Sequence, residues 1–467
     1  YADDGYRLAA HASEIWTDPI GGAFIAGPGG SNLYYKELLD KVGVTANVYR
    51  VGTFKSAVEP FIRSDQSPEA EAAARAYAGE LWADPVAATL AAKGDNARAA
   101  LTAGLVDKIG GRLAFEQRVA ELVGTADDTQ PWAYNAIEFD AWLANNPAPT
   151  NGTPIAVIPV VGEIVDGEAP NGTAGGDTIA GHILTAITND AVKAIVLRVD
   201  SPGGSVLASE AIRQALLRAK AKKLPIVVSM GNVAASGGYW VSMPADRIFA
   251  EPDTITGSIG VFGILPSFEK TLANIGVRAD GIKTTPLSGE PDLAGGVSPQ
   301  FNQLAQASIE DIYARFTGLV AKSRKLDIAK VQEIAEGRVW AGGTARQLGL
   351  VDQFGGIDDA VAHAAKLAKV EGEFHPLYIE NVPDPFNQLL ANWAQQTSPA
   401  ATAPRGWFAL AGAQRGQVQA RLLADLTLLA AAPSVQAVCL ECRGWMGPVA
   451  PPQVAVRQLG WLARLID

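Results

Sequence analysis

Between residues 153 and 232 the chain alternates two kinds of apolar pattern. Three runs, "TPIAVIPVVGEIV", "KAIVLRVDSPGG" and "LPIVVSMGN", are rich in β-branched residues and close on Gly or Pro. Between them lie the helix-like stretches "AGHILTAITND" and "SVLASEAIRQALLRAKAKK". Strand, helix, strand, helix, strand is the order of parallel βαβ units. The near-continuous apolar character of the strands predicts a sheet buried on both faces. The expected class is α/β, with parallel sheets flanked by helices.

The pattern has an echo elsewhere in the chain. "GYRLAAHASEIWTDPIGGAFIAG" from Gly5 aligns without a gap on "GYWVSMPADRIFAEPDTITGSIG" from Gly238, at an offset of 233. Tyr6 meets Tyr239, Ile15 meets Ile248, Pro19 meets Pro252 and Gly27 meets Gly260. The register continues with Tyr35 on Phe268, Leu39 on Leu272, Gly43 on Gly276 and Val44 on Val277. "GLVDKIGG" from Gly104 then matches "GLVDQFGG" from Gly349 at an offset of 245, so the second copy carries extra residues. An ordered internal repeat of this kind organises the whole chain. Position 1 corresponds to position 234, so the strands and helices ahead of Ser236 have no counterpart in the first copy, which is expected to be incomplete. The divisions that follow are 1–145 for the first repeat, 153–370 for the second and 371–467 for a tail. "ANNPAPTNGTP" forms the joint between the repeats.

Composition narrows the function classes. Apolar residues make up 48% and charged residues 19%, the balance of a globular chain long enough for sizeable cores. The formal net charge of −11 and the lack of a basic run disfavour a nucleic-acid partner. Both cysteines, Cys439 and Cys442, fall in the tail, so no disulfide framework spans the main body. Their spacing suits a redox pair or half a metal site. No clean apolar run reaches the length of about 18 residues that a membrane span needs. The tail stretch "LLADLTLLAAAPSVQAVCL" is interrupted by Asp425 and Pro433 and reads as a packed or interfacial helix. The start, "YADDGYRLAAHASEIW", has neither an initiator Met nor an export signal, and the chain reads as a fragment.

Two Gly-rich turns are candidates for chemistry. "LRVDSPGGSVLASEAI" places Gly203 and Gly204 between a strand and a helix, where their amides could hold an oxyanion. "GNVAASGGYW" places Ser236 between a strand and a helix-like stretch, the setting of an exposed nucleophile. Tight connections alone would also account for both turns. A nucleophilic serine needs a base. The four histidines, His11, His182, His363 and His375, stand in no setting that suggests one. Lys55, inside the apolar and aromatic stretch "YRVGTFKSAVEPFIR", could serve if burial keeps its amine neutral; a snorkelling surface lysine is the other reading. The repeat weighs between them. The first-copy counterpart of Ser236 is Asp3 and the second-copy counterpart of Lys55 is Ser288, so each copy holds one residue of the pair and lacks the other.

With these residues in hand, the chain resembles the long, two-repeat form of the bacterial signal peptide peptidase A (protease IV) family of serine–lysine peptidases. The stretches that carry the resemblance are "NVAASGGYW", "DSPGG", "TGSIGVFG", "YRVGTFKSAVEPFIR" and "GRVWAGGTARQLGLVD", spread over most of residues 5 to 370, with "CLEC" in the tail. The resemblance implies tandem ClpP/crotonase-like repeats, Ser236 as nucleophile, Lys55 as general base, and an oxyanion hole at Gly203 and Gly204. It further implies a homotetramer, held in the bacterial inner membrane by an N-terminal helix and facing the periplasm. Its substrates would be cleaved signal peptides or other apolar peptides. No metal, nucleotide or other cofactor is implied. The membrane helix is expected to be missing from this chain, and the final stretch "GWMGPVAPPQVAVRQLGWLARLID" departs from the family's pattern. Two other functions share the fold: a crotonase-type acyl-CoA hydratase or thioesterase, and a non-catalytic peptide-binding scaffold.

Overall fold

The computed structural model describes residues 3–23, 31–82, 96–147 and 150–381, and in the tail residues 422, 425, 435–439 and 442. The closing stretch "GWMGPVAPPQVAVRQLGWLARLID" lies outside the described residues. Two compact units form. One comprises Tyr1–Ser31 with Ala78–Thr150, the other Asn32–Tyr77 with Asn151–Asp467. The segment bearing Lys55 therefore packs with the residues that bear Ser236.

In the larger unit the strands are β1 (Thr45–Val51), β2 (Thr153–Val161), β3 (Ile164–Val165), β4 (Ala174–Gly175), β5 (Ile195–Ser201), β6 (Gly203–Ser205) and β7 (Ile226–Ala235). They continue as β8 (Arg247–Ala250), β9 (Ile255–Gly257), β10 (Val261–Ser267), β11 (Val339–Ala341), β12 (Gln353–Phe354), β13 (Phe374–Tyr378) and β14 (Gln436–Val438). The principal helices are α1 (Gly176–Thr188), α2 (Val206–Ala221), α3 (Gly237–Ser242), α4 (Pro299–Arg324) and α5 (Ile357–Leu367).

The three apolar runs become β2, β5 and β7, paired in parallel at the centre of an eight-stranded sheet ordered β11-β9-β7-β5-β2-β13, with β8 beside β7 and β12 beside β8. Only the β9–β11 pairing is antiparallel. Alternate residues of each strand point to opposite faces. On one face Ile158, Leu197, Met230 and their neighbours pack against Ile183 of α1, Leu216 of α2 and Phe316 of α4. On the other, Ile155, Val157, Val196 and Val227 pack against Ala360, Val361 and Ala364 of α5. Helices on both faces explain why these strands carry no polar stripe. A second, six-stranded sheet, β1-β10-β14-β6-β3-β4, stands beside the carboxyl ends of the central strands.

The internal repeat reappears as repeated contacts. In the smaller unit Trp16 and Thr17 pair in parallel with Lys108 and Ile109; in the larger, Phe249 and Ala250 pair with Gln353 and Phe354. Ile15 N donates to Asp107 Oδ2 (2.7 Å) and Ile248 N to Asp352 Oδ2 (2.8 Å). The Tyr6 hydroxyl donates to Leu105 O and the Tyr239 hydroxyl to Leu350 O, both at 2.8 Å. Every one of these pairs is related by the offsets of 233 and 245 read from the sequence. Among the described residues of the smaller unit, Tyr6, Ala23, Ala100, Leu105 and Val106 form a modest core.

The tyrosine contact can be tested. Tyr239 is fully buried, and burial pushes its hydroxyl above the ordinary phenol range. Tyr239→Phe leaves the buried Leu350 carbonyl without this donor, which costs about 1–3 kcal/mol. The expected outcome is a lower urea midpoint with an unchanged slope.

Candidate active site

Ser236 sits at the turn between β7 and α3. Its backbone adopts φ +57° and ψ −112°, a region that non-glycine residues enter at a cost of about 1–3 kcal/mol. Hydrogen bonds hold it there. Ser236 N donates to Gly257 O (2.8 Å), and its carbonyl accepts from Trp240 N (2.9 Å). The small residues around it in "AASGG" let the chain reverse this sharply, so the side chain leaves the sheet at its carboxyl edge.

Lys55 arrives from the other repeat. β1 runs antiparallel to β10, with Arg50 opposite Phe262 and Val51 opposite Val261. The chain then turns at Gly52, and Lys55 N donates to Gly52 O (3.1 Å). Gly337, at φ +80°, packs on the Lys55 backbone so closely that a Cβ there would lie 2.7 Å from Lys55 N. Lys55 Nζ lies 3.0 Å from Ser236 Oγ, 3.0 Å from Ser258 Oγ and 3.4 Å from Ser258 O. Ser236 and Ser258 are fully buried, and Lys55 is 1% exposed. A neutral amine has two N–H donors and one lone pair. It can donate toward Ser258 while its lone pair accepts the Ser236 hydroxyl proton.

Gly203 and Gly204 form β6, beside Gly237. A side chain at Gly203, where φ is +92°, would put its Cβ 2.5 Å from Gly237 N and 2.1 Å from the Ala437 carbonyl oxygen. The Gly203 N–H donates to Ser201 Oγ (3.1 Å). Gly204 faces Ala437 of β14 in the antiparallel register. Gly203 thus lies against both Gly237 N and the Ala437 carbonyl oxygen, next to the residue that follows Ser236. Gly237 was not singled out from the sequence, although it is the residue after the serine.

Ser258 was also missed. It lies in "TGSIGVFG", and its first-copy counterpart is Ile25. The one-sided occurrence that singled out Ser236 and Lys55 holds for Ser258 too, and was the available signal. Its φ of +50° and the bond from its N–H to Arg338 O (2.7 Å) aim the side chain at Lys55. Three histidines are engaged elsewhere: His182 with Asn381, His375 with the Asn151 carbonyl, and His363 edge-on to Phe249. Ser288, the repeat counterpart of Lys55, is half-buried and accepts from Thr285 N. Asp200 lies near the end of β5. Its carboxylate accepts from Val233 N (3.1 Å), and burial raises its pKa even though that bond and Arg198 pull it down.

A buried serine in hydrogen-bond contact with a buried lysine can carry out acyl transfer. The chain matches Peptidase family S49 over residues 1–93 and 218–371, and it belongs to that family. It is 43% identical over 412 residues to "Protease 4" of Salmonella typhi, covering 84% of this chain and 66% of the relative. It is 41% identical over 393 residues to "Protease 4" of Haemophilus influenzae, covering 79% and 63%. "Serine protease SPPA, chloroplastic" of Arabidopsis thaliana is 29% identical over 388 residues, covering 78% and 57%. The chain thus spans less than two thirds of the length of these relatives. A ClpP1 mutant from Listeria monocytogenes matches at 16% identity over 44% of this chain and 94% of its own, with a TM-score of 0.30. The α/β assignment here rests on the strands and helices themselves.

Ser258→Ala removes one hydrogen-bond partner of Lys55 and adds no bulk. With Lys55 less well aimed, acylation of Ser236 should slow by roughly 10- to 100-fold. The check is the rate of labelling by a serine-reactive acylating probe, with the melting transition showing that the fold is intact.

Proposed function

We propose that this chain is a serine endopeptidase that uses Ser236 as nucleophile and Lys55 as general base. The observation that carries the reading is the 3.0 Å approach of Lys55 Nζ to Ser236 Oγ in a buried setting. Burial penalises the ammonium form and so favours the amine that a base must be. Membership of a peptidase family supports the reaction class.

The proposed mechanism uses this contact. Lys55 takes the Ser236 hydroxyl proton as Oγ attacks the peptide carbonyl. The oxyanion draws on the Gly204 and Gly237 amides, each worth about 3–4 kcal/mol in such a role. Lys55 then hands its proton to the departing amine, which leaves an ester on Ser236. In the second half Lys55 deprotonates a water that attacks the ester, and the proton returns to Oγ. Ser258 orients Lys55 and takes no part in bond making.

The substrates proposed are apolar peptides, cleaved signal peptides above all, bound extended beside β6 so that backbone pairing supplies affinity. The names of the two bacterial relatives and the chloroplast relative support a proteolytic role. The rest of the family's biology is proposed with it: a homotetramer, held by a membrane helix at the periplasmic face of the inner membrane. Among the described residues no helix is long and apolar enough to cross a membrane. No cofactor enters the mechanism.

The test is covalent labelling read by intact mass. One acylating probe should add once to the protein, and not at all to folded Ser236→Ala or Lys55→Ala. Labelling that survives Ser236→Ala sinks the assignment, and acyl-CoA turnover that survives it favours the crotonase-type reading. Peptide binding without any labelling favours the scaffold.

The pH dependence provides a second check. The labelling rate should climb as pH rises and Lys55 loses its proton, then level off once the amine is fully neutral. A profile flat from acid to alkali counts against lysine as the base.

A further inference from the structure

The cleft beside Ser236 already holds a strand, and the strand is this chain's own. β14 (Gln436–Val438) lies between β6 and β10, antiparallel to both. On the β6 side Val206 N donates to Val435 O (3.0 Å) and Cys439 N donates to Pro202 O (2.7 Å). Between those bonds the register sets Ala437 opposite Gly204, so alternation makes them a hydrogen-bonded pair. The Ala437 carbonyl oxygen lies against Gly203 and Gly237, where the proposed oxyanion would form. Val438 enters an apolar pocket with Tyr35, Leu39, Val58, Phe61 and Phe262.

Burial adds a second, independent observation. Ala437, Val438 and Cys439 are completely buried, and so is Ser236. A peptide substrate therefore has no path to the hydroxyl while this strand is seated. The residue that follows the strand, Cys439, is bonded to Cys442 in a disulfide. The ring closes directly beside the Cys439 N–H that is anchored on Pro202. The crosslink restricts the segment when it is undocked, so less conformational entropy is lost on docking.

We propose that residues 435–439 are a built-in pseudosubstrate, latched in the cleft by the Cys439–Cys442 disulfide and released when a dithiol reduces it. In that step the S–S bond breaks as the two sulfurs take up two electrons and two protons. The dithiol supplies both and departs as its own disulfide. Reduction gives the segment back its freedom and shifts the balance from seated to released. That release opens a catalytic site rests on the peptidase reading; that the strand is latched does not.

The full chain is tested in its oxidised form, after treatment with dithiothreitol, and as Cys442→Ser. Hydrogen exchange read by mass spectrometry follows the amides of residues 203–206 and 435–439, and the acylating probe follows Ser236. Slow exchange in the oxidised chain should become faster by about tenfold in the reduced chain and in the variant, as for a closed form holding ~90% of the molecules. Labelling should rise in step. Protection that reduction and Cys442→Ser both leave unchanged overturns the latch, and fast exchange in the oxidised chain overturns the plug. Loss of residues 438–467 by mass also overturns it, since the segment would then be a substrate. Faster exchange without any labelling upholds the latch and counts against the peptidase reading.

Discussion

A lysine amine held 3.0 Å from a serine hydroxyl, both out of contact with water, is the constraint around which this structure is organised. Neither residue could be placed by its own neighbourhood in the chain. Ser236 needs the end of a central strand and a backbone conformation that only a fixed surrounding can maintain. Lys55 needs a separate strand, β1, clipped along seven residues to β10, to deliver it to the same point. Burying a lysine is costly, and here hydrogen bonds to Ser236 and Ser258 offset part of that cost.

The repeats show how one sequence pattern can serve two ends. Both copies keep the tyrosine that bonds a leucine carbonyl, the aspartate that caps an isoleucine amide, and the short parallel pair between them. These contacts satisfy buried backbone groups, a need that does not depend on function. The chemistry is divided instead. Serine at 236 and 258 belongs to one copy and lysine at 55 to the other, and the fold reunites them by packing residues 32–77 with the second copy. Divided copies preserve the scaffold while only one composite centre is built.

Geometry also dictates how a peptide must lie. β6 and β10 are separated by the width of one strand, and β14 fills that interval with backbone pairing on both sides. A chain seated there is extended, and its Ala437 carbonyl oxygen lies against Gly203 and Gly237. The apolar pocket that receives Val438 draws residues from both repeats, Tyr35 and Phe61 from one and Phe262 from the other. Access to the serine is thus a question of which strand occupies the gap.

Much of this was legible beforehand. The β-rich runs marked β2, β5 and β7, because strands covered on both faces have no polar alternation to disguise them. Repeat arithmetic alone paired Ser236 with Lys55, since complementary loss across copies survives in the letters of the chain. Other features were not legible from residue types. The Gly203 amide turns to Ser201, and Gly203 itself packs against Gly237 and the Ala437 carbonyl, because such directions depend on φ and ψ at each glycine. In the tail's apolar stretch residues 422 and 425 are helical, as expected, yet residues 436–438 form a strand, since an open sheet gap outweighs local preference. Sequence by itself determined the strands and the repeat, and singled out Ser236 and Lys55. Only the tertiary structure decided that these two meet, that Ser258 bonds the lysine, and what lies in the cleft, because each depends on atoms brought together from distant parts of the chain.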